Sequence, residues 1–353
     1  MNSRKINLKI VFAVIVLLFA GKSYSAQFTK SSTKSFDVNP GALLHIQSEF
    51  SEIRALQWDK QKISVELTIV VEAANQSKAN ERFEEIKIQV DGNKDLVNIM
   101  SSVESGFFKS KNNIINIDIL IHYPSNINLK IKSEFGSAHF ESIEGTTFVD
   151  IEYGNFNVNE LKNNSNQIEV SFGQFQAVNI QTANAKIEYG SCLIEQAQSL
   201  SLNTAFSGNV NIDKVGDLKL KSAYDKVHIG EIEKLSGSSQ FSSLTIEKLI
   251  KTLVFKAAYG SFKLNDLSPD FELLDVSSEF CSLKTSVDPS ANFSFYTDVE
   301  LGSFNYPKEK VTITSLQKDM TDLLMEGYFG IKEKAKGKMR FSVDNASVTI
   351  QLK

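Results

Sequence analysis

The chain has 353 residues, 38 basic against 42 acidic, a net charge of -4, and a low Pro count of 5 beside 25 Phe and 9 Tyr. That length allows one extended domain or two smaller ones. Arg occurs at positions 4, 54, 82 and 340 alone, and no basic groove is interleaved with aromatics, which excludes nucleic acid as the expected partner.

Residues 1–25 read as a secretory signal. Arg4, Lys5 and Lys9 precede an apolar run from Ile10 to Ala20, and Ser23-Tyr24-Ser25 supplies small residues for cleavage. The run is about half of the roughly 20 residues that span a bilayer. No Cys stands near the cleavage point, which argues against a lipid anchor, and nothing later is apolar enough to span. The expected mature chain is exported, soluble or peripheral, with no transmembrane segment.

Residues 26–126 predict a β-rich N-terminal cap. Ser35 to Val38, Leu44 to Ile46 and Ile63 to Ile69 alternate apolar and polar residues, separated by turns at Asn39-Pro40-Gly41 and Trp58-Asp59-Lys60. Ser48-Glu49-Phe50-Ser51 looks like an early copy of a phrase that recurs later. A short helix is predicted over Ser77 to Ile86, strands over Ile86–Val90 and Leu96–Met100, a hairpin loop over 102–113, and a strand over Ile114–Ile121.

Residues 127–306 carry the recurring phrase: Ser-Glu-Phe135-Gly-Ser, Ile-Glu-Tyr153-Gly-Asn, Val-Ser-Phe172-Gly-Gln and Ile-Glu-Tyr189-Gly-Ser. It continues at Phe206, Tyr224, Phe241, Tyr259 and Phe280, and Leu301 replaces the aromatic in a tenth copy. The spacings are 18, 19, 17, 17, 18, 17, 18, 21 and 21 residues, a period short enough for a stacked repeat. Apolar residues recur four before the aromatic and three, five and eight after it. Alternation broken by a two-residue turn predicts two short strands and a corner per copy. No copy can bury its apolar face alone, so copies stack and share a core, roughly 4.8 Å apart. The expected fold is all-β: a β-solenoid, a single-stranded β-helix with coils of about 18 residues. A unit of two copies, placing Phe and Tyr on opposite sheets, is the alternative. Since a buried Tyr hydroxyl needs a partner, the repeat tyrosines are expected to reach toward the corner.

Residues 307–353 are expected to close the stack. Val311-Thr-Ile-Thr is followed by a helical turn around Leu316–Leu324 and by Gly327-Tyr328-Phe329-Gly330. Lys332, Lys334, Lys336, Lys338 and Arg340 form a basic run, read either as a solvated turn or as contacts for an anionic glycan or lipid headgroup. Met339 to Leu352 alternates as terminal strands. Cys192 and Cys281 fall five copies apart, roughly 24 Å, too far for a disulfide.

With these features on the page, nearly the whole chain resembles the bacterial putative-adhesin family, a domain of unknown function with β-helical repeats, akin to adhesin head domains of Bacteroidetes-like bacteria. The carriers are Leu44-His-Ile46, Phe50-Ser51, Trp58-Asp59, His122-Tyr123-Pro124-Ser125, Phe135-Gly136 with its repeats, and Arg340 to Ile350 as a closing strand. Where that family carries Ser-Gly-Asp at the corner, this chain carries aromatic-Gly-polar. The resemblance implies a non-catalytic surface or periplasmic role. Together with the usual crossover preference it implies a right-handed coil.

Residue chemistry points the same way. No Gly-x-Ser-x-Gly, His-Glu-x-x-His or dinucleotide fingerprint occurs. His139 and His228 share an outward column five copies apart, and His45 and His122 lie in separate cap strands, so no catalytic residue, cofactor or metal site is assigned. Glu134 and Glu152, one residue before the aromatic in adjacent copies, form a candidate cation pair, read otherwise as a solvated face. In the middle of the stack the same column turns uncharged at Ala205, Ala223, Gln240 and Ala258, a candidate docking surface for a partner. The expected function is an adhesin-like protein binding a surface, a glycan or an unknown envelope protein. The alternatives are a secreted polysaccharide-active enzyme on the same scaffold and a periplasmic envelope-stress docking protein.

Overall fold

The computed structural model describes residues 26–104 and 115–353. The expected signal segment 1–25, residues 105–113 of the expected hairpin loop, and Ile114 lie outside the described residues. Within them the chain is all-β with a single α-helix. It divides into two units, Met1–Asn163 and Asn164–Lys353.

The first unit contains β1 (Ala26–Asp37), β2 (Leu43–Glu49), β3 (Ser51–Gln57), β4 (Lys62–Ala73), α1 (Gln76–Glu84), β5 (Ile86–Gly92), β6 (Leu96–Val103), β7 (Ile115–Tyr123), β8 (Asn128–Glu134), β9 (Ala138–Ile143), β10 (Thr147–Glu152) and β11 (Phe156–Leu161). Asn75 caps α1, its side chain accepting from the Lys78 N–H at 3.0 Å. Two regimes of pairing meet here. β2 pairs parallel with β8 and β8 with β10, aligning Glu49, Glu134 and Glu152. On the other side, β7 pairs antiparallel with β4 and β4 antiparallel with β1, giving the parallel strands a covered edge. Ser102 and Val103, expected in a loop, extend β6, because β5 continues the antiparallel ladder to Ile86↔Val103.

The second unit runs β12 (Asn166–Ser171), β13 (Gln174–Glu188), β14 (Ser191–Ala205), β15 (Asn209–Ala223), β16 (Lys226–Gln240), β17 (Ser243–Leu267), β18 (Leu273–Val287), β19 (Phe293–Glu300), β20 (Ser303–Asn305), β21 (Val311–Lys318), β22 (Asp322–Phe329), β23 (Gly337–Asp344) and β24 (Ser347–Leu352). From β12 to β18 each strand pairs in parallel with the next, one sequence period away. Like residues therefore stack on like: Phe175, Cys192, Val210, Val227 and Leu244 form one buried column.

The long strands are bent. In β13 the buried residues are Phe175, Ala177, Ile180, Ala183, Ala185 and Ile187. Two three-residue steps interrupt the period of two, and the pairing to β14 skips Val178 and Gln181 at the same places. Each copy thus presents three inward-facing stretches and not the two strands expected. The extra buried columns are the Ala183-Leu200-Leu218-Leu235-Leu253-Leu274 line and the Ile187-Thr204-Ser222-Ser239-Ala257-Ser278 line.

The C-terminal segment departs from expectation twice. The helical turn predicted around Leu316–Leu324 is the antiparallel hairpin β21–β22. Its turn is set by Asp319, whose carboxylate accepts the N–H groups of Thr321 at 3.0 Å and Asp322 at 2.8 Å. In addition, β23 pairs parallel with both β18 and β19, so that Glu279, Asp344 and Glu300 align. The 21-residue step from Phe280 to Leu301 therefore does not join neighbours, since Asn345, with φ 54°, stands between them. The edge of β19 is covered by β22, antiparallel.

Candidate functional site

The aromatic of every copy is a corner residue facing outward. Phe135, Tyr153, Phe172, Tyr189, Phe206, Tyr224, Phe241, Tyr259 and Phe280 all adopt left-handed backbone, with φ between 49° and 61°. They are 44–52% exposed. The left-handed residue reverses the direction in which the side chain leaves the strand, which throws the ring out of the core. This corrects the expectation that the repeat tyrosines reach into the corner for partners. A buried tyrosine with hydrogen-bond partners is instead Tyr123, in the first unit. It is fully buried, donates to the Ser142 carbonyl at 3.1 Å and accepts from the Ser142 N–H at 3.2 Å. Burial raises its pKa.

In the second unit the rings from Phe172 to Phe280 form an unbroken ladder. Successive centroids lie 4.7–5.2 Å apart and planes differ by 2–11°. In the first unit Phe50, Phe135 and Tyr153 stack likewise at 4.9 and 5.0 Å. Ring faces inside such a ladder are covered by their neighbours, and the surface receives ring edges, which carry the positive end of the quadrupole. Within a ladder no open aromatic face is left on which a sugar or base could stack.

The residue before each ring is a structural anchor as well as a surface position. The carbonyls of Ala205, Ala223, Gln240 and Ala258 accept the N–H groups of Tyr189, Phe206, Tyr224 and Phe241 at 2.9–3.0 Å. The parallel registers set these four side chains side by side, Gln240 exposed and the alanines half-buried. The candidate docking residues are thus one contiguous strip beside the ladder. Glu134 and Glu152 are likewise adjacent and exposed, with Glu49 next in line. Among the described residues no group of three or more His, Cys, Asp or Glu side chains is arranged to hold a metal ion. His45 contacts Asn98 at 3.2 Å, His122 stacks on Trp58 at 5.2 Å, and His228 lies 3.7 Å from Glu247.

The sequence reading missed the buried polar knot at the Tyr224 corner. Asp225 takes the place that Gly holds in other copies and is 5% exposed. Its carboxylate accepts from Thr204 Oγ1 at 2.6 Å, Ser207 N at 2.7 Å, Ser222 Oγ at 2.7 Å and Ala223 N at 3.1 Å. Four donors replace the water that the charge gave up. The sequence signal was Asp-Lys where other copies have Gly followed by a small polar residue. Where Gly is kept, backbone packs against it: a Cβ on Gly190 would lie 2.0 Å from the Gly173 carbonyl oxygen.

Cys192 and Cys281 are free and buried. Burial pushes the Cys192 thiol up to about 12 and the Cys281 thiol up to about 11, the latter opposed by a hydrogen bond from the Gly260 backbone. Outward charges in the second unit pair across strands. Glu231 bridges Lys214 at 3.0 Å and Lys248 at 3.4 Å, which holds its carboxyl below the usual range, Lys214 first. Of the basic run, Lys332 sits 5.2 Å from the centre of the Tyr328 ring, and Lys338 and Arg340 are exposed on β23.

No family model and no curated protein matches the chain. Among solved structures it is similar to a putative adhesin from Parabacteroides merdae, at 10% identity, covering 91% of this chain and 95% of that one, with a TM-score of 0.31. It is similar to a putative adhesin from Bacteroides fragilis at 12% identity, covering 92% and 97%, with a TM-score of 0.27. It is also similar to a putative cell adhesion protein from Clostridium sporogenes at 9% identity, covering 92% and 100%, with a TM-score of 0.18.

Proposed function

We propose that the chain is an exported, non-catalytic β-solenoid that acts by binding a surface, glycan or envelope partner, as an adhesin does. In this reading residues 26–126 cap a right-handed solenoid of ten copies over 127–306, and residues 307–353 finish it. Export rests on the charged and apolar pattern of residues 1–25. The observation that carries the binding role is the outward ladder with its uncharged strip. Core packing does not require these rings outside, and each left-handed aromatic costs on the order of 1–3 kcal/mol of backbone strain. A continuous exposed apolar line is also unusual on a surface that has no partner.

Protease shaving of intact cells, with a periplasmic marker as control, tests the location. Loss of the protein while the marker survives supports a surface adhesin. Survival until the outer envelope is opened contradicts surface display and redirects the search to a partner inside the envelope.

A further inference from the structure

A second feature of the repeat unit lies on the stretch of each copy that precedes the ring. There a trough of about 580 Å³ crosses five successive parallel strands, β12 to β16. Its lining is short and polar, with Asn184, Ser201, Asn203 and Ser236 prominent, and Gly237 lies at one end. The charged side chains along it are Glu169, Lys186, Lys219 and Lys221.

The lysines are not equivalent. Lys186 is paired with Glu188 at 2.9 Å. Some outward lysines in this unit pair with a carboxylate one strand away, Lys214 and Lys248 with Glu231 and Lys251 with Glu233. Among the described residues Lys219 and Lys221 form no such ion pair. The registers place Lys219 between Ser201 and Ser236, and Lys221 between Asn203 and Ser238. Both side chains are exposed. Two alternate residues of one strand put their charges about 7 Å apart on the same face. Two lysines outside any ion pair, in a chain of net charge -4, therefore lie among hydroxyl and amide groups, with Asp217 two residues before Lys219 on the same face.

We propose that this trough binds an anionic polysaccharide lying across the strands, with Lys219 and Lys221 as its cationic contacts. The proposal rests on the binding role above and names its ligand class. Two features favour a glycan over other polyanions. Serine and asparagine side chains both donate and accept, matching sugar hydroxyls. The trough contains no Arg fork for phosphate. A stacked repeat also suits a polymer, because similar polar positions recur at every strand.

The test is affinity electrophoresis of the full mature chain through gels containing polygalacturonate, dextran or single-stranded poly(dT), at low and high salt. Variants are Lys219→Gln/Lys221→Gln and, as a charge-matched control on another face, Lys263→Gln/Lys284→Gln. All four residues are exposed, and circular dichroism of each variant checks that it folds. The expected result is retardation by polygalacturonate that salt weakens, dextran does not reproduce, the control keeps, and the trough variant loses by at least tenfold in apparent affinity. Equal loss in both variants, no loss in either, no retardation of the wild type, or equal retardation by poly(dT) overturns the proposal. A chain that ignores polygalacturonate but still binds isolated cell envelopes overturns this inference and leaves the binding role standing.

Discussion

Phe206 and Tyr224 stack face to face, with centroids 4.7 Å apart and planes within 5°, and each stands on left-handed backbone, φ 52° and 61°. Each ring in the middle of the ladder has two such neighbours. At about 0.5–1.5 kcal/mol per aromatic pair, two contacts return about as much as the backbone strain of a single left-handed residue, on the order of 1–3 kcal/mol. Replacing any one ring in the middle of the ladder, which gives up two contacts and one strained residue, is thus nearly neutral for folding.

Phe206→Asn tests this balance. Asn tolerates left-handed backbone, so the variant gives up stacking and relieves strain. The expected change in unfolding free energy is within about 1 kcal/mol. The buried Phe175→Ala change is expected to cost about 3–5 kcal/mol, as a core truncation does. Denaturant titration of both variants checks the contrast, and equal losses would mean that the ladder holds the fold together.

Gly237 offers a sharper lesion. It sits in the column otherwise filled by Leu202, Leu220 and Phe255, with φ 139°, and a Cβ there would come 1.8 Å from the Leu220 carbonyl oxygen. The backbone must move or the β15–β16 pairing must break. Gly237→Ala is expected to destabilise by more than about 2 kcal/mol, whereas Gly208→Ala, where a Cβ meets nothing within 4 Å, is expected to be close to neutral. Thermal melts of the two variants side by side decide it.

Asp225→Ala removes one carboxylate and its four hydrogen bonds; Ser222 Oγ keeps Ser242 Oγ at 3.3 Å, and three donors lose this acceptor, among them the backbone N–H groups of Ser207 and Ala223. With about 1–3 kcal/mol for each buried group left unpaired, the total loss is expected to exceed about 3 kcal/mol. Asp225→Gly restores the residue found at other corners but leaves the same donors unpaired, so it should rescue little. Full recovery of stability in the Gly variant would show that the knot contributes nothing net.

The thiols give a chemical probe of the core. With Cys192 pushed up to about 12, roughly one part in ten thousand is thiolate at pH 8, and its sulfur is sealed from reagent as well. Native protein should leave both cysteines unmodified by a thiol-reactive dye, and denatured protein should label at both. Labelling of the native chain would contradict the packing of the Phe175–Leu244 column.

How much of this could be read in the sequence follows from what period and polarity encode. The 17–19-residue recurrence gave the phase of every copy to Tyr259, because in-register stacking puts identical needs on equivalent positions. The columns at Phe175 and Ile180 were plain because their members are all apolar. The column through Thr204, Ser222 and Ser239 was not, since hydroxyl residues there are buried beside hydrogen-bonding neighbours and look like surface. Ring direction was hidden for another reason. Aromatic residues ordinarily report the core, and only a left-handed φ, which composition does not reveal, turns them outward. The placement of β23 between β18 and β19 is likewise a long-range pairing with no local signature. The strip Ala205-Ala223-Gln240-Ala258 was legible because it followed directly from the phase.

The most direct test of the account is binding of purified, labelled protein to isolated cell envelopes, comparing wild type with Ala223→Glu/Ala258→Glu. The two substitutions place charges in the uncharged strip while the carbonyls that anchor Phe206 and Phe241 stay in place. The account predicts saturable binding by the wild type and a loss of at least tenfold in the variant, at unchanged melting temperature. Unchanged binding by the variant, or no saturable binding by the wild type, would contradict it.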